Sequence, residues 1–273
     1  MNVTVLGSGS EGNSTLIEAG GTGILVDAGF SGRDTEERLR ATGFDPRWLA
    51  GIIVTHDHGD HSRGAGILAR RFGVPVYLTK RTAVALAALF TGGECVREYA
   101  SSTPLRIGPF TVHPFLTVHD AVDPVAVTVT HPESGSKVGV VTDVGRPTTA
   151  VRAALSGCHA LVLEANHDDA MLWRGPYPWS VKQRIASSHG HLSNRAAASL
   201  VRDLMHADLV AVALAHLSTH CNDAGLARAV VGRSLDRVGF RGWVEVAPQA
   251  RPTETIDILA LRRRHAAEQL PLI

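Results

Sequence analysis

The stretch Thr55-His56-Asp57-His58-Gly59-Asp60-His61 places three histidines and two aspartates within seven residues. It follows the apolar, β-branched run 49–54, which predicts a buried strand, and it precedes residues 62–65, which predict the start of a helix. The cluster therefore lies in a loop at the C-terminal end of a strand, where α/β proteins keep their ligand sites. Imidazoles and a carboxylate suit zinc, iron or manganese better than calcium or copper(I). The stretch predicts a metal site.

Within this loop, His56 and His58 can hold one ion together, while Asp60 and His61 can begin a second site. A two-metal hydrolase needs about three protein ligands per ion and an open position for substrate. The remaining ligands should therefore lie at the ends of other predicted strands. Three residues do so: His119 after the strand 110–118, Asp143 after 138–142, and His216 after 210–215.

Composition and length are those of an ordinary globular enzyme. The chain has 273 residues, 44% of them hydrophobic and 19% charged, and its formal net charge of +1 lacks the basic excess common in DNA-wrapping proteins. No run approaches the ~20 apolar residues of a transmembrane helix, and we expect neither a signal peptide nor a membrane partner. Because the three cysteines are widely spaced, a reducing cytoplasm is the predicted location.

The order of predicted elements gives the fold class. Residues 1–54 hold predicted strands and one predicted helix, which Ser31 caps and which runs to about Thr42 with Gly43 as its stop. Strands dominate residues 105–142, and each of the two regions is followed by alternating helices and strands. This α/β pattern predicts two sheets packed face to face with helices outside. Because no repeat or linker interrupts it, we predict one domain over residues 1–273, with 261–273 as a C-terminal helix or tail.

Several segments besides the histidine cluster resemble the metallo-β-lactamase superfamily. Within it the chain looks most like the WalJ/YycJ group of bacterial proteins, which are proposed to be exonucleases acting on double-stranded DNA. The segments that carry the resemblance are 6–13, 118–121, 142–145, 163–168, 177–180, 190–194 and 215–218. The segments at 163–168, 177–180 and 190–194 point to the group rather than to the superfamily alone.

The resemblance implies a four-layer αββα sandwich with two divalent ions, zinc or manganese, with iron as a further possibility. By carry-over, the first ion is held by His56, His58 and His119, the second by Asp60, His61 and His216, and Asp143 bridges them. Asp27 resembles the buried aspartate that braces the ligand loop in the superfamily. The sequence departs from the group at Asp57 and Gly59, where glutamate and serine are expected, but neither position is a ligand.

The predicted chemistry is hydrolysis of a phosphodiester by a hydroxide that bridges the two ions. His191 lies just before a predicted helix, and it resembles a histidine of the RNA-processing branch that is thought to protonate the leaving 3′-oxygen. We therefore predict His191 as the general acid, with Glu164 orienting it, and count Asp60 with them among the catalytic residues.

Candidate substrate contacts come from the same region of the chain. Asn166 and His167 follow a predicted strand, Arg174 and Arg184 are candidate phosphate clamps, and Ser193 can cap a helix whose N-terminus attracts phosphate. The resemblance implies a 5′–3′ DNA exonuclease with a role in DNA repair. The two-metal chemistry leaves open a hydrolase of a small phosphodiester, lactone or other ester, and, as a second alternative, a non-catalytic metal- or nucleic-acid-binding module.

Overall fold

Fourteen strands form two seven-stranded sheets in a computed structural model that describes residues 1–269, with side chains to residue 266. The strands are β1 (Asn2–Gly7), β2 (Ser14–Ala19), β3 (Thr22–Val26), β4 (Leu49–Ile53), β5 (Val76–Thr79), β6 (Val96–Tyr99), β7 (Leu105–Ile107), β8 (Phe110–Leu116), β9 (Val125–His131), β10 (Ser136–Val141), β11 (Ala160–Glu164), β12 (Ala211–Ala215), β13 (Trp243–Val246) and β14 (Ile256–Asp257). The first sheet has the order β14-β1-β2-β3-β4-β5-β6 and the second β13-β12-β11-β10-β9-β8-β7.

Ten α-helices connect these strands or end the described chain. They are α1 (Gly32–Ala41), α2 (Gly59–Ser62), α3 (Ala65–Phe72), α4 (Lys80–Ala85), α5 (Thr149–Leu155), α6 (Asp169–Arg174), α7 (Trp179–Ala186), α8 (Asn194–Asp203), α9 (Ala224–Asp236) and α10 (Ile258–Gln269). The predicted helix after Ser31 is confirmed: the Ser31 side chain accepts a hydrogen bond from the amide of Asp34, and Gly43 follows the helix with a φ of 84°.

Three apolar clusters define four layers. The central cluster joins both sheets, with Ile24 and Ile53 from the first and Val127 and Val162 from the second. A second cluster packs α1 and α3 on the outer face of the first sheet, and a third packs α5, α8 and α9 on the outer face of the second. The αββα sandwich is therefore confirmed, and its stability rests on burial of apolar strand and helix faces.

The strand directions explain why distant residues meet. In the first sheet β1, β3 and β4 run the same way, and in the second β8, β10, β11 and β12 do. The loops at their C-terminal ends consequently share one edge of each sheet. Those loops carry the histidine cluster and most of the remaining candidate site residues.

Several elements were not predicted from the sequence. They are the short strands β6, β13 and β14 and the helices α6 and α7, which lie within residues 169–186. Residues 261–269 of the predicted C-terminal helix or tail are helical, whereas 270–273 lie outside the described residues. Within residues 1–269, no helix has the length and hydrophobicity required to span a membrane.

Candidate metal centre

The seven predicted ligands come together at the shared sheet edge. Their nitrogen and oxygen atoms form overlapping triads in which all donor atoms lie within 4.8 Å of one another. The triads are His56 with His58 and His119, Asp60 with His61 and His216, and His56 with His61 and Asp143. The first two match the two predicted ligand sets, and the third places Asp143 beside a histidine from each. The stretch that supplies four of these side chains is partly helical, since α2 begins at Gly59.

His56 has the strongest signature of a metal ligand. Its Nδ1 lies 3.0 Å from the Thr55 hydroxyl, which in turn lies 3.0 Å from the carboxylate of Asp27. Because that hydroxyl donates to Asp27, it accepts from His56, and the proton is fixed on Nδ1. The other nitrogen, Nε2, is buried without a hydrogen-bond partner among the described residues. A buried lone pair of this kind is costly unless it binds a cation.

His119 and His58 complete the first triad. His119 Nδ1 donates to the carbonyl oxygen of Gly190 at 3.1 Å, which leaves Nε2 as its acceptor nitrogen. That Nε2 lies 3.4 Å from Nδ1 of His58. Burial lowers the pKa of His119, and burial followed by the neighbouring His61 lowers the pKa of His56 well below its usual value. Both imidazoles are therefore kept neutral, which is the form that binds metal.

His61 and His216 are each oriented by a buried carboxylate. His61 Nδ1 donates to Asp27 at 2.7 Å, and its Nε2 lies 2.9 Å from Asp143 Oδ2 and 3.4 Å from Asp60. The Asp143 Oδ2 atom nevertheless has no partner with hydrogen-bond geometry among the described residues. Asp27 also accepts from the backbone amide of Thr55 at 2.8 Å. The predicted bracing of the ligand loop by Asp27 is thus confirmed.

Glu164 holds two histidines at once. Its Oε1 lies 2.7 Å from His191 Nδ1 and 3.0 Å from His216 Nδ1, and its Oε2 accepts from the amides of Val144 and Leu192 at 3.0 Å. The structure therefore brings Glu164 to His191, as predicted, and also places it behind a candidate ligand, which the sequence did not indicate. A carboxylate that fixes a ligating histidine in one tautomer is a recurrent feature of metal sites.

The buried carboxylates make the site attract positive charge. Burial opposes ionisation of Asp143, yet the imidazoles of His216 and His61 bring its pKa well below the usual value. Burial likewise disfavours a charged His216, but Asp143, Asp60 and Glu164 raise its pKa to about 10. The donor set and its charge both fit divalent cations, because a cation would satisfy the same carboxylates that otherwise hold a proton on histidine.

Backbone strain is concentrated at the same place. Asp27, Asp143 and His216 adopt φ values of 64°, 58° and 55°, in the left-handed region that residues other than glycine seldom occupy. They are the only non-glycine residues with positive φ within residues 1–269. Each follows a strand that ends one or two residues earlier, and together they turn three side chains toward one centre. Strain of this kind persists where the surroundings over-determine it, as at functional sites.

A cleft of about 290 Å³ opens beside the metal centre. Asn166 and Arg184 line it, as does His191, whose side chain is 21% exposed. Asn166 donates to the carbonyl oxygen of His216 at 2.9 Å, and Arg184 lies 3.2 Å from Asp120. Two of the five predicted substrate contacts and the predicted general acid are thus brought to one cavity.

The other three predicted substrate contacts do not line this cleft. His167 is buried, and the hydroxyl of Ser193 accepts from the amide of Ala196 as the cap of α8. Arg174 ends α6 and is exposed to solvent. The cap role of Ser193 was predicted, and its side chain caps α8 at a position outside the cleft lining.

Sequence reasoning missed five polar residues of the cleft: Ser10, Asp120, Tyr177, His189 and Ser218. All of them except His189 lie in segments that carried the family resemblance, which is the one signal that could have selected them. His189 lies in the turn before α8, which forms part of the cleft wall.

The loop that carries the ligands is fastened by backbone contacts. The amide of Asn13 donates to the Asp60 carbonyl oxygen at 2.8 Å, and that of Ala28 donates to the His61 carbonyl oxygen at 2.8 Å. A Cβ atom at Gly29 would overlap the backbone of Asp60. Only glycine therefore allows this close approach of two loops.

Gly29→Ala is expected to displace the loop and to lower both metal content and stability, the latter by at least ~1–3 kcal/mol, as overpacking does. Metal analysis and thermal unfolding measure the two effects. Gly59→Ala is the matched control, because a Cβ there meets nothing within 4 Å. Similar behaviour of the two variants would show that the approach at Gly29 is not required.

Comparison with known proteins identifies the family of this chain. The Beta-lactamase superfamily domain matches residues 22–213. Exodeoxyribonuclease YycJ of Bacillus anthracis is 35% identical over 242 residues, which cover 88% of this chain and 91% of that protein. Exodeoxyribonuclease WalJ of Streptococcus pneumoniae is 31% identical, over 85% of this chain and 87% of its own. The metallo-β-lactamase fold protein YhfI of Bacillus subtilis aligns with a TM-score of 0.70 at 20% identity, over 92% and 98%, which shows the fold alone.

The fold and the donor cluster define a metal-dependent hydrolase, which uses divalent metal. The chain belongs to the beta-lactamase superfamily, in the family that includes YycJ and WalJ. The predicted resemblance is thereby confirmed.

Proposed function

We propose that the chain is a dinuclear phosphodiesterase that degrades DNA from an end. The observation that carries this proposal is the pair of ligand triads joined at Asp143, with the histidine–carboxylate pair His191 and Glu164 beside them. The names of the relatives YycJ and WalJ support an exodeoxyribonuclease activity. The 5′–3′ polarity, the preference for double strands, a role in DNA repair and a cytoplasmic location stay predictions.

The proposed metal ligands are the seven residues of the triads, in the arrangement His56, His58 and His119 for one ion and Asp60, His61 and His216 for the other. Two bound divalent ions would lower the pKa of water at the centre and neutralise charge on the phosphate oxygens. The ions are proposed to be zinc or manganese, with iron as a third candidate, because imidazole and carboxylate ligands suit all three.

His191 is proposed to protonate the leaving oxygen. Glu164 fixes His191 through Nδ1, and within residues 1–269 no hydrogen bond occupies its Nε2. Nε2 is therefore the nitrogen that would carry the donated proton when both ring nitrogens are protonated. Asn166, Arg184 and Asp120 lie on the same cavity wall, so that a phosphate entering the cleft meets an amide and a guanidinium.

The size of the cleft also supports the alternative that the substrate is a small molecule. A volume of about 290 Å³ is at the lower end of ligand pockets, which span ~300–1,000 Å³. It can admit a single phosphodiester with its neighbouring groups, and a small free phosphodiester, lactone or ester would also fit. A DNA substrate must therefore make its further contacts outside the cleft. A non-catalytic binding module is the least supported alternative, because all seven proposed ligands and the proposed general acid His191 lie together at one site.

One experiment separates these functions. The purified protein with added zinc or manganese is given a 5′-labelled duplex, a labelled single strand and bis-nitrophenyl phosphate. We expect release of nucleotides from a strand end together with turnover of the diester. Turnover of the diester without degradation of either DNA would contradict the nuclease proposal and support the alternative. No turnover of any substrate by metal-loaded protein would contradict both.

A further inference from the structure

The helices α6 and α7 carry two exposed tryptophans next to the cleft. Trp173 is 43% exposed and Trp179 64% exposed, and their ring centroids lie 5.2 Å apart at an interplanar angle of 40°. Tyr177, between them in sequence, lines the cleft, and so do Val181 and Arg184 on α7. A single exposed aromatic side chain is common on soluble proteins, but adjacent exposed rings form an apolar patch, and such patches mark interaction sites.

The charge of the surrounding segment points to a polyanion. Residues 170–202 contain five lysine and arginine residues and no aspartate or glutamate, although the net charge of the whole chain is only +1. Arg195 pairs with Asp169 at 3.3 Å, and Arg184 with Asp120 at 3.2 Å. Arg174 makes no ion pair with any described residue, and Lys182 donates to the carbonyl oxygen of Trp173 at 2.9 Å. Cations interleaved with aromatic rings are typical of surfaces that bind single-stranded nucleic acid.

We propose that Trp173 and Trp179 form a base-stacking site for unpaired bases at the end of a DNA strand whose phosphodiester lies in the adjacent cleft. This inference rests on the proposed nuclease function and names the part of the substrate that binds outside the cleft. A base within a duplex is covered on both faces by its neighbours, so the rings can receive only a terminal or unpaired base. The basic segment 170–202 supplies the attraction for the phosphates on either side of that base.

The test measures binding of a duplex with a short overhang, made with phosphorothioate linkages so that the metal-loaded enzyme does not cleave it. Trp179→Ala is expected to weaken binding about tenfold, since stacking on one aromatic residue contributes ~1–3 kcal/mol. Trp179→Phe should recover most of the affinity. Trp48→Ala is the matched control, because Trp48 is also 64% exposed but lies outside this segment.

A second overhang with abasic residues removes the bases and keeps the phosphates. The wild-type protein should lose about as much affinity on this ligand as Trp179→Ala loses on the natural one, and the two losses should not add. Equal losses by Trp179→Ala on both ligands, or none, would overturn the stacking site. A changed elution volume of Trp179→Ala with unchanged DNA binding would also overturn it and identify a protein contact.

The turnover assays separate this inference from the proposed function. If the wild-type enzyme degrades DNA and Trp173→Ala and Trp179→Ala degrade it equally well, only the stacking site fails. If it hydrolyses bis-nitrophenyl phosphate but neither binds nor degrades DNA, both proposals fail. The supporting result is a fall of about tenfold in the ratio of DNA to diester turnover for both tryptophan variants but not for Trp48→Ala.

Discussion

Asp143→Asn is expected to reduce bound metal from two ions per chain to one or none and to abolish turnover of DNA and of bis-nitrophenyl phosphate alike. Asp143 is the only proposed ligand shared by the two ions, and its carboxylate lies 2.9 Å from His61 and 3.5 Å from His119 and His216. Loss of a partner outside the ligand shell costs ~10–100-fold in metal affinity. Loss of the bridging carboxylate should therefore cost more than about a hundredfold.

Asparagine is the appropriate replacement because Asp143 has a φ of 58°. Asparagine tolerates the left-handed region, whereas alanine would add backbone strain to the loss of a ligand. Asp57→Asn is the matched control: Asp57 lies in the same loop as four ligands, but its carboxylate accepts from the amide of Val122 at 3.0 Å. Elemental analysis and turnover are the measurements. Two retained ions and full activity in Asp143→Asn would show that the proposed ligand set is wrong.

The layers of the fold could be predicted from the sequence because the pattern of apolar residues reflects which faces of a strand or helix are buried. Runs such as 49–53 and 160–163 are apolar without alternation, which is what strands covered on both faces require. Strands β6 and β13 were missed because they lie at the sheet edges, where their residues are partly exposed and no such run appears. Helices α6 and α7 bury almost nothing, so they leave no apolar stripe to detect.

The candidate ligands could be predicted for a different reason. A metal site needs rare residue types at strand ends, and His56, His119 and His216 satisfy both conditions in the sequence alone. The cleft wall could not be predicted in this way. Tyr177 and His189 reach the cleft only through the path of the chain between β11 and α8, which no local pattern specifies. The contact of Glu164 with both His191 and His216 could not be predicted either, because it depends on distances in the folded structure.

His191→Ala is expected to keep both ions and the fold but to lower turnover of natural DNA by ~10²–10⁴-fold, the usual contribution of a positioned general acid. A departing alkoxide needs a proton, whereas a nitrophenolate leaves readily without one. The loss should consequently be much smaller on bis-nitrophenyl phosphate. His189→Ala is the matched control, since His189 lines the same cleft but its Nδ1 lies 3.2 Å from the hydroxyl of Ser188 and not near a buried carboxylate.

The comparison of leaving groups and metal content distinguishes three roles for His191. Equal losses on DNA and on the nitrophenyl diester would indicate that His191 positions the phosphate. Loss of an ion would make His191 a ligand, and this outcome has a structural basis, because His191, Asp143, Glu164 and His216 also meet the distance condition for a metal site. The acid role is the stronger expectation, because the other seven donors already supply three protein ligands for each ion and a carboxylate between them.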